Sequence, residues 1–90
     1  MNHRQPTPSF SDRVQAVVAH IPKGKTMTYA QVAVAAGSPR ACRAVGTVLS
    51  HNYDPHIPCH RVIKSDGTLG LYNRGPARKR TLLKKEGAIV

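Results

Sequence analysis

The amino-acid sequence predicts a single, mainly α-helical domain with a short β-hairpin, of winged helix-turn-helix type. Three observations lead there. Two capping-box spacings open stretches whose apolar residues recur at helical intervals. Gly37 and Ser38 separate two helical stretches by a tight turn. Asp66-Gly67, a hairpin signal, lies between two short β-prone runs. Ninety residues are close to the size at which one hydrophobic core just suffices. With no Trp and one Phe, that core must be built from Val, Ile, Leu and Ala, and a large apolar ligand cavity is not expected.

Residues 1–8, with Pro6 and Pro8, read as a flexible lead, and residues 9–90 as the domain. Ser9 and Asp12 have capping-box spacing, and Phe10, Val14, Val17, Val18 and Ile21 share one helical face that ends at Pro22 and Gly24. A second box, Thr28 to Gln31, opens a helix that should stop at Gly37. Ser38 as N-cap and Pro39 in the first turn then begin a third helix, placed as the recognition helix. Beyond Asn52 the chain becomes a proline-punctuated loop. "RVIK" and "TLGLY" are expected as the hairpin strands. Pro76 starts a last helix with Leu82 and Leu83 inward, a basic outer face and Gly87 as its cap.

Fourteen Lys and Arg stand against four acidic residues, a formal charge of +10 spread along the chain. A surface that is merely solvated mixes both signs, so the expected partner is a polyanion, with nucleic acid first. No apolar stretch approaches the ~20 residues of a membrane span, and "MNHRQPTPSF" lacks the apolar segment of a signal peptide. The expected compartment is cytoplasmic, where Cys42 and Cys59 stay reduced. A DNA-bound protein there is associated with the nucleoid or nucleus.

The third helix has an unusual composition. Ala41, Cys42, Ala44 and Gly46 are small, Arg43 stands alone among them, and Val45, Val48 and Leu49 supply an apolar face. A helix that reads bases in the major groove carries several long polar side chains. This one suits either close approach to a groove, with Arg43 filling the gap of a displaced base, or tight helix packing with Arg43 solvated.

Cys59 in "HIPCHRVIKSDG" admits three roles. His51, His56, Cys59 and His60 are zinc donors by type, but their spacing fits no usual finger, so no metal is expected. A lone cysteine is commonly a buried, inert thiol. Here His60 and Arg61 stand beside it and favour the thiolate, which makes nucleophile the best physical reading. Such a site also wants an orienting carboxylate, and the chain's one glutamate is Glu86.

The stretch "IPCHRVI", preceded by "TYAQVA" and "RACRAVGTVLSHN" and followed by "DGTLGLYNRG" and "LLKKEG", resembles the C-terminal, active-site domain of the O6-alkylguanine-DNA alkyltransferases, the methylated-DNA-protein-cysteine methyltransferases. The resemblance runs from about Ser9 to the C-terminus. It implies repair by direct, single-turnover transfer of an alkyl group from O6-alkylguanine in double-stranded DNA to a cysteine. The DNA is held through its minor groove and the damaged base is flipped out. By resemblance Cys59 is the acceptor, His60 the base acting through a water, Glu86 the carboxylate orienting His60, and Asn52 the brace of the site. Tyr29 assists rotation and donates toward the guanine. Arg43 is the finger filling the stack, in a DNA face that also takes in Ala41, Cys42, Ala44, Gly46 and Arg61. Val62, Tyr72, Asn73, Arg74, Gly75 and Lys79 join Tyr29 around the base pocket. No cofactor is implied, and a monomer is expected.

Two features depart from the family. From its length the chain is expected to lack the N-terminal domain of full-length members, and its brevity resembles the alkyltransferase-like proteins, which bind alkylated guanine without repairing it and recruit excision repair. Those typically lack the cysteine that this chain has at position 59. Arg74 also falls in a loop that the family usually keeps small, which bears on pocket size.

Overall fold

The computed structural model describes residues 9–70 and 72–89, which fold into four helices, a 3₁₀ turn and two short strands. The lead expected at residues 1–8 lies outside the described residues. Helix α1 (Phe10–Ala19) starts where Ser9 Oγ accepts the Asp12 N–H at 3.1 Å. The expected apolar face is the one it buries: Val14, Val18 and Ile21 are in the core, with Phe10 and Val17 packed against it. Burying a side chain of this size contributes about 1.5–3 kcal/mol.

Strand β1 (Met27–Thr28) leads directly into α2 (Tyr29–Ala35). The capping box is complete, with Gln31 N–H on Thr28 Oγ1 at 3.0 Å and Thr28 N–H on Gln31 Oε1 at 2.9 Å. Gly37, at φ +84°, ends α2 by donating to Val34 O while Ser38 donates to Ala33 O, a Schellman cap. Arg13 of α1 adds a bond from Nε to Ala36 O at 2.8 Å, which fixes the angle between the two helices.

Helix α3 (Cys42–Ser50) begins later than expected. Ser38 is already engaged in capping α2, and Ser38–Ala41 closes a turn of its own, with Ala41 N–H on Ser38 O at 2.9 Å. Its N-cap is therefore Ala41, with no side-chain bond, in place of Ser38. Helices α1, α2 and α3 pack around Val14, Val18, Val32, Val45 and Leu49, so the helix-turn-helix arrangement stands.

The expected hairpin is corrected. The turn at Asp66-Gly67 forms, with Lys64 N–H on Thr68 O at 3.0 Å and Gly67 at φ +89°. Strand β2 (Val62–Ile63), however, pairs in parallel with β1, Met27 opposite Val62 and Thr28 opposite Ile63. "TLGLY" supplies no partner strand among the described residues. A two-residue strand is too short for its alternation to reveal which edge it joins.

Helix α4 (Pro76–Lys85) has Pro76 in its first turn and ends in a second Schellman cap, in which Gly87 donates to Lys84 O and Ala88 to Leu83 O. Leu83 is buried, as expected, and one turn earlier on the same face lies Lys79, fully buried. The described residues hold no helix long and apolar enough to cross a membrane.

Candidate active site

Cys59 opens the 3₁₀ turn Cys59–Arg61, which links the loop after α3 to β2. The loop is held by short side-chain bonds. Asn52 Oδ1 accepts the Asp54 N–H and Asp54 Oδ1 accepts the His56 N–H, both at 2.9 Å. Asn73, from the segment before α4, donates to Asn52 O at 2.6 Å. So braced, Asn52 directs its Nδ2–H to Cys59 Sγ at 3.2 Å.

Cys59 is 8% exposed and lies where two cavities meet. One, of about 40 Å³, is bounded by Tyr29, Gly46, Tyr72 and Asn73. The other, of about 160 Å³, is bounded by Asn52, Pro55, His60, Tyr72, Arg74 and Arg78. Burial pushes the thiol pKa up from its ordinary value; the Asn52 bond opposes this, as do the more distant charges of Arg74 and Lys79. The cations that favour the thiolate are thus not those beside it in sequence. Arg61 points away from Cys59, into a contact with Glu86.

Behind the cysteine, His60 Nε2 donates to Glu86 Oε2 at 3.0 Å. Arg61 grips the same carboxylate with both arms of its fork, Nε on Oε1 at 3.0 Å and Nη2 on Oε2 at 2.7 Å. Its Nη1 donates to Ile21 O at 2.8 Å. The Arg61 bonds, with a smaller contribution from His60, hold the Glu86 carboxyl down to about 2. Glu86 is therefore an anion throughout the neutral range. Because it only accepts, His60 carries its hydrogen on Nε2 when neutral, which leaves Nδ1 as the basic atom.

Lys79 Nζ donates to Val62 O at 2.6 Å and lies 5.7 Å from the centre of the Tyr29 ring. Burial lowers its pKa to about 8. Tyr29 is pushed up, first by burial and then by the negative charge of a Cys59 thiolate. Gly70, at φ +75°, lets this ring lie close, since a Cβ there would sit 3.3 Å from Tyr29 Oη and 3.4 Å from Lys64 Cγ.

The structure brings Cys59, Asn52, Tyr29, Tyr72 and Asn73 together around one sulfur, with His60 and Glu86 behind it. Other expected residues fall elsewhere. Val62 is fully buried in the core, Lys79 is beneath the site, and Gly75, at φ +100°, serves as N-cap of α4. Arg74 lies over the larger cavity, where its Nη2 donates to Tyr53 O at 2.7 Å. Of the expected DNA face, Cys42, Arg43 and Gly46 line an open groove of about 520 Å³ floored by Tyr29 and Ala30. Ala44 is exposed and Ala41 half-buried at the head of α3. Arg61, by contrast, is committed to the interior. Lys64 and Ser65 form a wall of the groove that the sequence reading missed. Their signal was a basic residue at the mouth of the Asp66-Gly67 turn. The described residues hold no cluster of three or more His, Cys, Asp or Glu side chains suited to a metal.

Replacing Asn52 by Ala removes the donor on Cys59 Sγ. The expected result is a further rise in the thiol pKa and about tenfold slower reaction with a small alkylating reagent at neutral pH. A rate-against-pH series checks it, and superimposable curves would make Asn52 a loop brace only.

A family model described as "6-O-methylguanine DNA methyltransferase, DNA binding domain" matches residues 9–88. A methylated-DNA-protein-cysteine methyltransferase of Methanothermobacter thermautotrophicus is 47% identical over 82 residues, which cover 90% of this chain and 46% of the relative. A DNA base-flipping protein of Escherichia coli is 45% identical over 83 residues, 91% of this chain and 64% of that protein. Among solved structures, Mycobacterium tuberculosis OGT in complex with DNA superposes with a TM-score of 0.83 at 41% identity, over 90% of this chain and 50% of that one. S. pombe Atl1 in complex with damaged DNA containing O6-carboxymethylguanine gives 0.78 at 35% identity, over 87% and 75%. The chain spans about half the length of the methyltransferase relatives.

Proposed function

The chain belongs to the 6-O-methylguanine DNA methyltransferase family through its DNA-binding domain, and from that membership we propose that it repairs O6-alkylguanine in double-stranded DNA by transferring the alkyl group to Cys59. The observation that carries this reading is the sulfur itself. Cys59 Sγ is held at the join of two cavities by Asn52, with the His60–Glu86 pair behind it.

In this mechanism Arg43 and the small residues of α3 enter the minor groove, and the damaged nucleotide turns out of the stack toward Tyr29. His60, through a water, takes the thiol proton, and the sulfur attacks the alkyl carbon. The S–C bond forms as the C–O6 bond breaks. The guanine leaves as a neutral base by gaining a proton through the Tyr29 hydroxyl, and the proton taken up by His60 restores the tyrosine through solvent, so that one alkyl group and one proton move in net. The burial that holds Cys59 protonated at rest is the reason a base is needed. The product is a thioether, so each molecule acts once, as a monomer and without a cofactor. The test is whole-protein mass after incubation with an oligonucleotide carrying O6-methylguanine. One added methyl per molecule is expected, and no gain over hours defeats the transferase reading.

A second reading, lesion binding without transfer followed by recruitment of excision-repair proteins, draws on two observations. The resting thiol is the less reactive form. The chain is also similar to Atl1, solved with damaged DNA, and to a DNA base-flipping protein. Tight lesion binding with no mass gain is its signature.

Arg43→Ala should weaken binding to a lesion duplex about tenfold, a loss of about 1.4 kcal/mol, and to an intact duplex much less, because the finger acts once a base has left the stack. Fluorescence titrations at several salt concentrations check this, and equal losses on both duplexes would make Arg43 an ordinary phosphate contact.

A further inference from the structure

The geometry points to Arg61 as a positioning residue: its fork neutralises and orients Glu86 so that His60 stays an uncharged base with Nδ1 free. This deepens the transferase reading and rests on it for its catalytic consequence. The contact is well shielded, with the Arg61, Glu86 and His60 side chains 16%, 11% and 11% exposed. Glu86 Oε2 serves both partners, taking Arg61 Nη2 at 2.7 Å and His60 Nε2 at 3.0 Å. The guanidinium is anchored from a third side by Ile21 O at the end of α1, at 2.8 Å. It is thus held beside the carboxylate and away from any partner outside.

A lone carboxylate against an imidazole has two effects. It orients the ring, and it also attracts a proton onto it. A protonated imidazole cannot take the proton of Cys59. A fixed guanidinium on the same carboxylate oxygens cancels the second effect and leaves the first. The remaining groups facing His60 do not substitute for it. Tyr72 meets the ring edge-on at 6.3 Å. Asp54, on the same cavity, is paired with His56. Arg74 and Arg78 are exposed at the cavity rim, where solvent screens them. Cys59 is uncharged until His60 has acted.

The experiment compares the wild-type protein with Arg61→Gln and Arg61→Lys. His60 ring signals are followed by NMR against pH in the free protein, and alkyl transfer is followed over the same range. Arg61→Gln should move the His60 titration up by about one unit and carry the acidic limb of the transfer profile with it. Arg61→Lys keeps a charge and should stay near wild type. The wild-type ring nitrogens should report hydrogen on Nε2, which checks the proposal even if Arg61→Gln does not fold. An unmoved His60 titration, or a wild-type ring carrying its hydrogen on Nδ1, overturns it. A uniform loss of transfer at every pH makes Arg61 a structural tie and overturns it equally. The NMR arm needs no transfer, so failure of the transferase reading is seen separately, as absence of mass gain in the wild-type protein.

Discussion

Cys59→Ala is expected to abolish alkyl transfer while the protein still binds a duplex carrying O6-methylguanine within about threefold of the wild type, a difference of less than about 1 kcal/mol. The asymmetry follows from where the sulfur lies. Cys59 is buried and is not among the residues lining the groove of Arg43 and Gly46, so removing its sulfur leaves the groove and the net charge as they were. Charge and groove contacts dominate the affinity. Chemistry, in contrast, has no second acceptor of the same kind. Cys42 is exposed on α3 and is not among the residues bounding either cavity at Cys59. Peptide mapping of the wild-type product should place the methyl on Cys59 and leave Cys42 unmodified. A methyl on Cys42, or transfer that survives in Cys59→Ala, would refute the assignment.

Glu86→Gln is expected to affect both rate and stability. It leaves the Arg61 guanidinium facing a neutral amide in a largely buried site, which costs about 2–3 kcal/mol after allowance for partial solvation. For a domain of this size that lowers Tm by roughly 10–20 °C. Transfer should slow by about a hundredfold, since His60 loses the carboxylate that orients it. The pH dependence separates the two. The carboxyl titrates at about 2 in the folded protein and at 4.5 in its ordinary state. Being lowered by folding, it contributes stability that is complete above about 4.5 and disappears as the pH falls toward 2. Stability measured across that window should therefore fall with decreasing pH more steeply for the wild type than for Glu86→Gln. Parallel curves would mean that Glu86 is not the group held low by Arg61.

Charge and capping carried most of the information legible in the sequence. Ser9, the Thr28–Gln31 box, Gly37, Pro76 and Gly87 each act on neighbours within one turn, and the structure places them at the helix ends expected for them. Helix α3 was displaced because Ser38 was claimed by the cap of α2, a competition that local spacing does not reveal. The strand expected in "RVIK" forms, but its pairing was misassigned because β2 chose β1, a partner 35 residues away in Met27↔Val62, over the turn next to it. Turn chemistry specifies that the chain reverses. It does not specify which edge is free.

Asn52 and Tyr29 entered through the family resemblance; by itself the sequence determined the helical order, the polyanion-seeking charge, and three side chains with the chemistry for a site, Cys59, His60 and the single Glu86. These depend on residue type and short spacing. Only the tertiary structure decided what the cations do. Arg61, next to His60 in sequence, turns inward to Glu86. Lys79 is buried beneath Tyr29, Arg74 closes on Tyr53 over the larger cavity, and Lys64 joins the groove wall. A cation's effect depends on its distance to other charges and on the water between them, and both are set by how α4, β2 and the loop after α3 pack together.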